Sequence, residues 1–384
     1  MAGLYIHIPF CKSRCIYCGF YSTVQLQLRQ RYVDALCREM ELHKRDGYRC
    51  VISTIYLGGG TPSQLTIPQL RQLFLYINKV YSLPSIQGGG EGGSEVTIEV
   101  NPDDVTPTYA KALSQLPVNR ISMGVQTFDD QRLRFLHRRH TARQVPLAVR
   151  RLRDAGFRNI SIDLMYGFPH ETLDDWQRDV DAAIALDVEH ISAYCLMIEE
   201  GTVLYEQMKA GHSGEPSPLY DEELERQMYE LLIDRLTAAG YEHYEISNFA
   251  RPGYRSRHNS SYWNDVPYIG LGAAAHSYDP SRKCRQWNVS DIRQYIEAVE
   301  RGEVPCDCEQ LAPDTHYNDR ITTALRTSDG LDLDTLSDRH RTHCLREARR
   351  FLDDGLLRLA GSHLVLTRRG LFVSDMVMSQ LMLV

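Results

Sequence analysis

Three cysteines near the amino end, Cys11, Cys15 and Cys18, follow the apolar run Tyr5-Ile6-His7-Ile8-Pro9-Phe10 at the spacing C-x3-C-x2-C. The run reads as a strand, so the cysteines fall on one loop at its end and can turn their thiolates inward. Soft thiolates suit an iron-sulfur cluster or zinc. Zinc normally takes four ligands, and His7 stands close enough in sequence to complete a Cys3His set. A [4Fe-4S] cube held by three thiolates instead keeps one iron open. Such an iron can chelate the amino and carboxylate groups of S-adenosylmethionine, and an electron passed into the sulfonium releases methionine and a 5'-deoxyadenosyl radical. The cofactor carries that chemistry, and the protein holds and aims it. The spacing alone leaves cluster, zinc and unligated thiols open.

A cluster loop needs reduced thiols, and the other cysteines agree with a reducing compartment. The ten cysteines sit at irregular positions that do not resemble a disulfide framework. The first apolar stretch is short, lacks a basic leader and runs straight into Cys11, so no signal peptide is read. No segment has the length of a membrane span. A cytoplasmic protein is expected. Its net charge of -7 argues against general binding to nucleic acid or anionic membranes, and any contact with membrane proteins would be peripheral.

The 384 residues are too many for one small core, so roughly two or three domains are expected. After the cysteine loop, strands and helices alternate. Helical spacing marks 30–45 and 67–80, and strands are read at 53–57, 95–100, 120–125, 159–165 and 190–196. The glycine-rich segment 87–94 reads as a loop inserted between them. With the first strand this makes six strand-helix units, which argue for parallel strands joined by crossover helices. Six units are too few to close a (β/α)8 barrel. The expected fold class is therefore α/β, a partial (β/α)6 TIM-like barrel over 1–200. The alternation loosens in an extension over 201–305, where 212–218 reads as a linker and 221–239 as a helix. A C-terminal module over 306–384 has helices near 318–325, 333–338 and 345–352 and a hairpin around Gly361-Ser362. It reads as winged-helix-like, with an accessory or docking role.

Ligands in such folds gather at the carboxyl ends of the strands. There the sequence offers Gly58-Gly59-Gly60-Thr61-Pro62, whose bare backbone a ligand can approach, and Glu99, a carboxylate suited to ribose hydroxyls. Gln126 ends the fourth strand, a helix carrying Arg138 and His140 follows, and Asp163 lies on the fifth. Glu99, Gln126, Arg138 and Asp163 recur near successive strand ends and are expected to form a polar ring facing one cavity.

The YIHIPFC segment with its cysteine spacing resembles the radical S-adenosylmethionine superfamily, and within it the oxygen-independent coproporphyrinogen III oxidase family. The likeness extends over nearly the whole chain and implies a radical SAM barrel. It implies a [4Fe-4S] cluster on Cys11, Cys15 and Cys18. It also implies S-adenosylmethionine contacts from Tyr5, Tyr17, Gly59, Gly60, Thr61, Glu99, Gln126, Arg138, Asp163, Cys195 and His276.

That family has two branches, a dehydrogenase of coproporphyrinogen III and a heme-binding chaperone. The dehydrogenase pattern carries another cysteine two residues after the third ligand, where this chain has Phe20, and a long arm before its first strand, where only Met1 to Leu4 precede Tyr5. His258-Asn259-Ser260-Ser261-Tyr262-Trp263 matches the HNxxYW signature of the chaperone branch. His258 could offer an imidazole to heme iron, with Tyr262 and Trp263 offering flat apolar surface; a histidine bracing a domain junction is the other reading. One departure is Gly19, where the chaperone branch usually has Asp. The expectation is a heme chaperone with a cluster and S-adenosylmethionine, an electron donor and a heme acceptor protein as partners. The rival is an active coproporphyrinogen dehydrogenase.

Overall fold

The computed structural model describes residues 1–45, 51–84, 93–211 and 221–383. Residues 87–92 of the glycine-rich segment and the expected linker 212–218 lie outside the described residues.

Six parallel strands follow the expected alternation: β1 (Ala2–Ile8), β2 (Ile52–Gly59), β3 (Glu95–Val100), β4 (Arg120–Gln126), β5 (Ile160–Tyr166) and β6 (His190–Cys195). Successive side chains on a strand point to opposite faces. In β3, Val96, Ile98 and Val100 are buried in the apolar core, which also takes Leu70, Leu73, Phe74 and Ile77 from the crossover helix Ile67–Val80. That helix begins at Thr66 with a capping box to Gln69. The opposite rows are polar. Tyr56, Glu99, Arg120, Ser122, Ser161, Asp163 and Ser192, from β2 to β6, all line one cavity. Strands whose alternate residues meet in one cavity must curve around it, which is the partial barrel.

The extension over 201–305 differs from a loose annex. It supplies strands to both margins of the same sheet, whose order is β12-β11-β10-β9-β1-β2-β3-β4-β5-β6-β8-β7. On one side β9 (Tyr268–Leu271) pairs parallel with β1, followed by antiparallel β10 (His276–Asp279), β11 (Cys284–Asn288) and β12 (Cys306–Gln310). On the other, β8 (Asn248–Ala250) and β7 (Glu242–Glu245) continue antiparallel from β6. With β1 held by β9 and β6 by β8, the barrel cannot close.

The strand 306–310 belongs to this large sheet, and the C-terminal module has its own core beginning at Tyr317. That module contains helices Pro313–Ala324 and Asp338–Asp353 and an antiparallel sheet of β13 (Leu331–Asp332), β14 (Leu357–Ala360) and β15 (His363–Leu366). The expected helix 333–338 is a single 3-10 turn at Leu333–Thr335. The next helix starts only after Ser337, whose hydroxyl accepts from the His340 amide.

One buried carboxylate ties the base of the cysteine loop to the added strands. Glu39, on helix Arg29–Arg45, accepts from the Gly272 amide at 2.9 Å, Asn288 Nδ2 at 2.7 Å and the Tyr295 hydroxyl at 2.6 Å. Beside it the Tyr32 hydroxyl donates to the His7 carbonyl at 2.8 Å and accepts from the Ala273 amide at 3.0 Å. Gly272 needs its positive φ of 99° here, and a Cβ would meet the Tyr32 hydroxyl and the His7 carbonyl. Replacing Glu39 with alanine leaves three buried donors without an acceptor, each costing about 1–3 kcal/mol. Urea unfolding of the E39A variant should show a loss of at least about 3 kcal/mol.

Candidate functional site

The carboxyl ends of β1 to β6 open into a cavity of about 660 Å³, and Cys11, Cys15 and Cys18 line it. The loop that carries them is closed at its neck by the bonds Cys11 N to Thr23 O (2.9 Å) and Thr23 N to Pro9 O (2.7 Å). Its middle is pinned by Ile16, buried among Leu136, Met165, Phe168, Leu196 and Leu204. Cys11 Sγ lies 3.6 Å from Thr61 Oγ1, and Arg138 Nη1 donates to Cys15 Sγ at 3.7 Å. Burial pushes the Cys11 and Cys18 thiols above their ordinary pKa.

His7 does not complete a Cys3His set with the three thiols. His7 is buried outside the cavity wall, with Nε2 bonded to the Tyr21 carbonyl at 2.9 Å and Nδ1 to the Tyr5 hydroxyl at 3.0 Å. Burial lowers its pKa to about 4, so the ring is neutral. Among the described residues no three His, Cys, Asp or Glu side chains are gathered to hold one metal ion.

The expected polar ring assembles. Tyr5, Tyr17, Gly59, Gly60, Thr61, Glu99, Gln126, Arg138, Asp163 and Cys195 line the same cavity as the thiols. Glu99 accepts from the Tyr56 hydroxyl at 2.9 Å and the Gly59 amide at 3.1 Å. Burial, with Asp163 adding to it, pushes Glu99 up to about 7; burial likewise pushes Asp163 up to about 6. Gln126 has φ of 70° at a register shift between β4 and β5, a bulge that re-aims its side chain.

Arg138 is not on a helix as expected. The helix Asp130–Phe135 is short, His137 leaves it at φ 59°, and Arg138 follows in the loop. There Nη2 donates to Asn101 Oδ1 at 2.8 Å and the Gly124 carbonyl at 2.5 Å. The glycine turn also has another cause than ligand approach. A Cβ on Gly59 would strike the His7 ring, and one on Gly60 would lie 2.7 Å from the Pro9 carbonyl carbon.

His276 lies outside the cavity wall, on β10, exposed and stacked on Trp287 at 6.3 Å between ring centroids. Its place on a strand beyond β9 explains the miss, since β9 intervenes between β10 and β1. His258, 1% exposed, sits on the helix Arg257–Trp263 beneath the barrel. Glu95 accepts from its backbone amide, Thr54 Oγ1 lies 2.8 Å from Nδ1 and the Tyr262 hydroxyl 2.8 Å from Nε2. Both ring nitrogens are engaged by side-chain hydroxyls. Tyr262 packs edge-on against Tyr268, and Trp263 lies under the Arg326 guanidinium. This motif braces the barrel floor.

Residues 5–183 match the Radical SAM superfamily, and residues 311–373 match the HemN C-terminal domain. The chain is 37% identical to the heme chaperone HemW of Bacillus subtilis over 86% of its own length and 85% of that protein's. It is 34% identical to the heme chaperone HemW of Mycobacterium tuberculosis over 99% of this chain and 94% of the other. The chain belongs to the HemW family. The fold of this HemW family member follows that of the radical SAM enzyme HemN, the coproporphyrinogen III oxidase of Escherichia coli. The TM-score is 0.82 over 99% of this chain and 89% of HemN, at 22% identity. Membership in the radical SAM superfamily implies a [4Fe-4S] cluster and S-adenosylmethionine. The donor set fits them: three thiols and a ring of carboxylate, amide and guanidinium groups face one cavity.

Gly19 departs from the Asp expected in a HemW sequence, and the structure supplies a reason. The Glu199 carboxylate occupies the space where a Cβ at position 19 would project. The acid thus comes from the loop after β6.

Arg120, Ser161 and Ser192 also line the cavity and were not singled out from the sequence, and Asn259, read only as part of the HNxxYW signature, joins them. The signal was present: in Arg120-Ile121-Ser122-Met123-Gly124 and Ile160-Ser161-Ile162-Asp163-Leu164 every second residue is small or polar. That period-2 row marks a hydrated inner face.

The raised pKa of Glu99 has a consequence for stability. An acid that titrates higher in the folded state stabilises the fold fully below its ordinary value of 4.5, and that contribution is lost as pH rises through about 7. Without cofactors, the melting temperature of E99Q relative to wild type should rise across this window, because Asp163, Glu171 and the buried histidines titrate in both proteins.

Proposed function

We propose that this protein is a heme chaperone that carries a [4Fe-4S] cluster on Cys11, Cys15 and Cys18, binds S-adenosylmethionine beside it and delivers heme to an acceptor protein in the cytoplasm. The observation that carries the reading is the one cavity shared by three thiols and the strand-end polar ring. Tyr5 and Tyr17 flank the thiols, and Thr61 and Arg138 hold the sulfurs of Cys11 and Cys15 from the side. Asn101 and the Gly124 carbonyl fix the Arg138 guanidinium, so its charge stays against the thiolate loop. Glu99 and Gln126 are the acceptors for ribose hydroxyls. Bound S-adenosylmethionine would supply a site for reductive cleavage when an electron donor serves the cluster.

Heme is cargo in this reading. The rim of the cavity presents Phe20, 71% exposed, and Met197, 64% exposed, an unusual apolar pair beside a polar interior. A macrocycle can lie on such a surface. Phe20 stands where the dehydrogenase pattern has a further cysteine, and the same substitution favours a binding rim.

Replacing Cys15 should abolish iron retention and the visible absorption of the anaerobically reconstituted protein, whereas replacing Cys37 or Cys344, both buried in apolar cores, should not. Conversion of coproporphyrinogen III to protoporphyrinogen at a catalytic rate would end the chaperone reading in favour of the dehydrogenase. For His258 the expectation is structural. The H258A variant should lose about 1–3 kcal/mol of stability in denaturant unfolding while its heme complex keeps an unchanged Soret spectrum.

A further inference from the structure

We propose that Arg120 is the receptor for a carboxylate on the molecule that fills the inner end of the cavity. This subsite is distinct from the thiols and from the polar ring at the strand ends. Arg120 opens β4, two residues before Ser122, so it lies roughly 7 Å deeper along the strand. It is 1% exposed and lines the cavity, yet Nε and Nη2 are buried without a hydrogen-bond partner. No carboxylate among the described residues forms an ion pair with it.

Two nearby arginines have acceptors or carboxylates against them, although Nε of Arg138 is also buried without a partner. Arg132 lies within 3.4 Å of Glu171, Asp175 and Asp179, and Arg138 is bonded to Asn101 and Gly124. A buried cation left alone costs several kcal/mol, so folds rarely keep one without a use. Arg120 lines the cavity, so the cavity is the route by which an anionic partner would reach it.

The surroundings select the class of anion. One guanidinium, the Ser161 hydroxyl and the Asn259 side chain line this part of the cavity, and Ser192 stands in register with Asp163 and bonds to it. Of these, Ser161 is already bonded to His190 Nδ1 at 2.7 Å. A single cation with neutral donors matches one negative charge. The planar fork of arginine matches the two oxygens of a carboxylate. A phosphate would bring more charge than this end neutralises. Asp163 is pushed up by burial and held down by the Arg120 charge, so an incoming anion competes with it for this guanidinium.

Such a carboxylate has two sources, a heme propionate or the methionyl group of S-adenosylmethionine. The first rests on the chaperone reading above. The test measures the affinity of wild type, R120Q and R120K for heme and heme dimethyl ester, and for S-adenosylmethionine and its methyl ester. Loss of one charged hydrogen-bonded pair corresponds to about tenfold or more in affinity. The acid of one pair should bind about tenfold or more tighter than its ester to wild type. That ratio should approach unity in R120Q and be partly kept in R120K. Discrimination in the heme pair assigns the propionate, and in the other pair the methionyl carboxylate. Equal acid-to-ester ratios in wild type and R120Q for both ligands would overturn the proposal. If wild type binds neither heme nor S-adenosylmethionine, the functional reading has failed, and acetate decides the subsite by itself. Acetate at constant ionic strength should then raise the melting temperature of wild type and not of R120Q, and equal shifts would reject the subsite.

Discussion

The structure depends on a division of each barrel strand into a polar row and an apolar row. Burying the apolar row against the crossover helices supplies the driving force for the fold. The polar row would be a liability if it met another layer of protein. Closed (β/α)8 barrels fill their centres with stacked branched side chains. Here the inner positions carry Thr97, Glu99, Arg120, Ser122, Ser161, Asp163, His190 and Ser192, and the strands bend around space that these side chains do not fill. Where two inner groups can satisfy each other they do, as Ser161, His190 and Tyr244 do in a chain of 2.7 and 2.8 Å bonds. Where they cannot, atoms such as Thr97 Oγ1 and Arg120 Nε stay buried without a partner.

An open barrel with a polar centre needs its floor and its margins fixed by other means. The helix Arg257–Trp263 closes the floor: Glu95 accepts from the Arg257 and His258 amides, and the His258 ring spans Thr54 and Tyr262. The margins are held by strands that arrive late in the chain, and Glu39 and Tyr32 lock the β9 side to the end of β1. The cysteine loop leaves the barrel at that point. Its position therefore depends on residues from the β9 margin of the large sheet, and a site built on such a fixed base is held more tightly than one on a free loop.

The six parallel strands and their order were legible because each carries a short apolar run bounded by a helix of clear periodicity. The margins were not. β9 to β12 are short, and β12 is Cys-Asp-Cys-Glu-Gln, exposed at every position, with no hydrophobic pattern to read. The strand-end residues could be named from the motifs, and the cavity gathers all but His276. For His258 the motif was visible but its role was not, because a histidine beside two aromatic residues looks the same in sequence whether its nitrogens are free or engaged. Thr54, its partner, is 204 positions away. The beginning of the helix at Asp130–Phe135 was legible, whereas its early end at His137 is a backbone event that exposes Arg138 to the thiols.

Gly19 and Glu199 illustrate how a local departure from a family pattern can conserve the chemistry of a site. The Glu199 carboxylate, from the loop after β6, lies where a Cβ at position 19 would project and would have to swing aside for one. Read along the chain, an acid has been lost next to the third thiol. Read in space, an acid is present there, carried by a longer side chain from another strand's end. An aspartate at 19 would require the flexible end of Glu199 to turn away, so in this chain the acid beside the thiol loop is carried by residue 199 and not by residue 19.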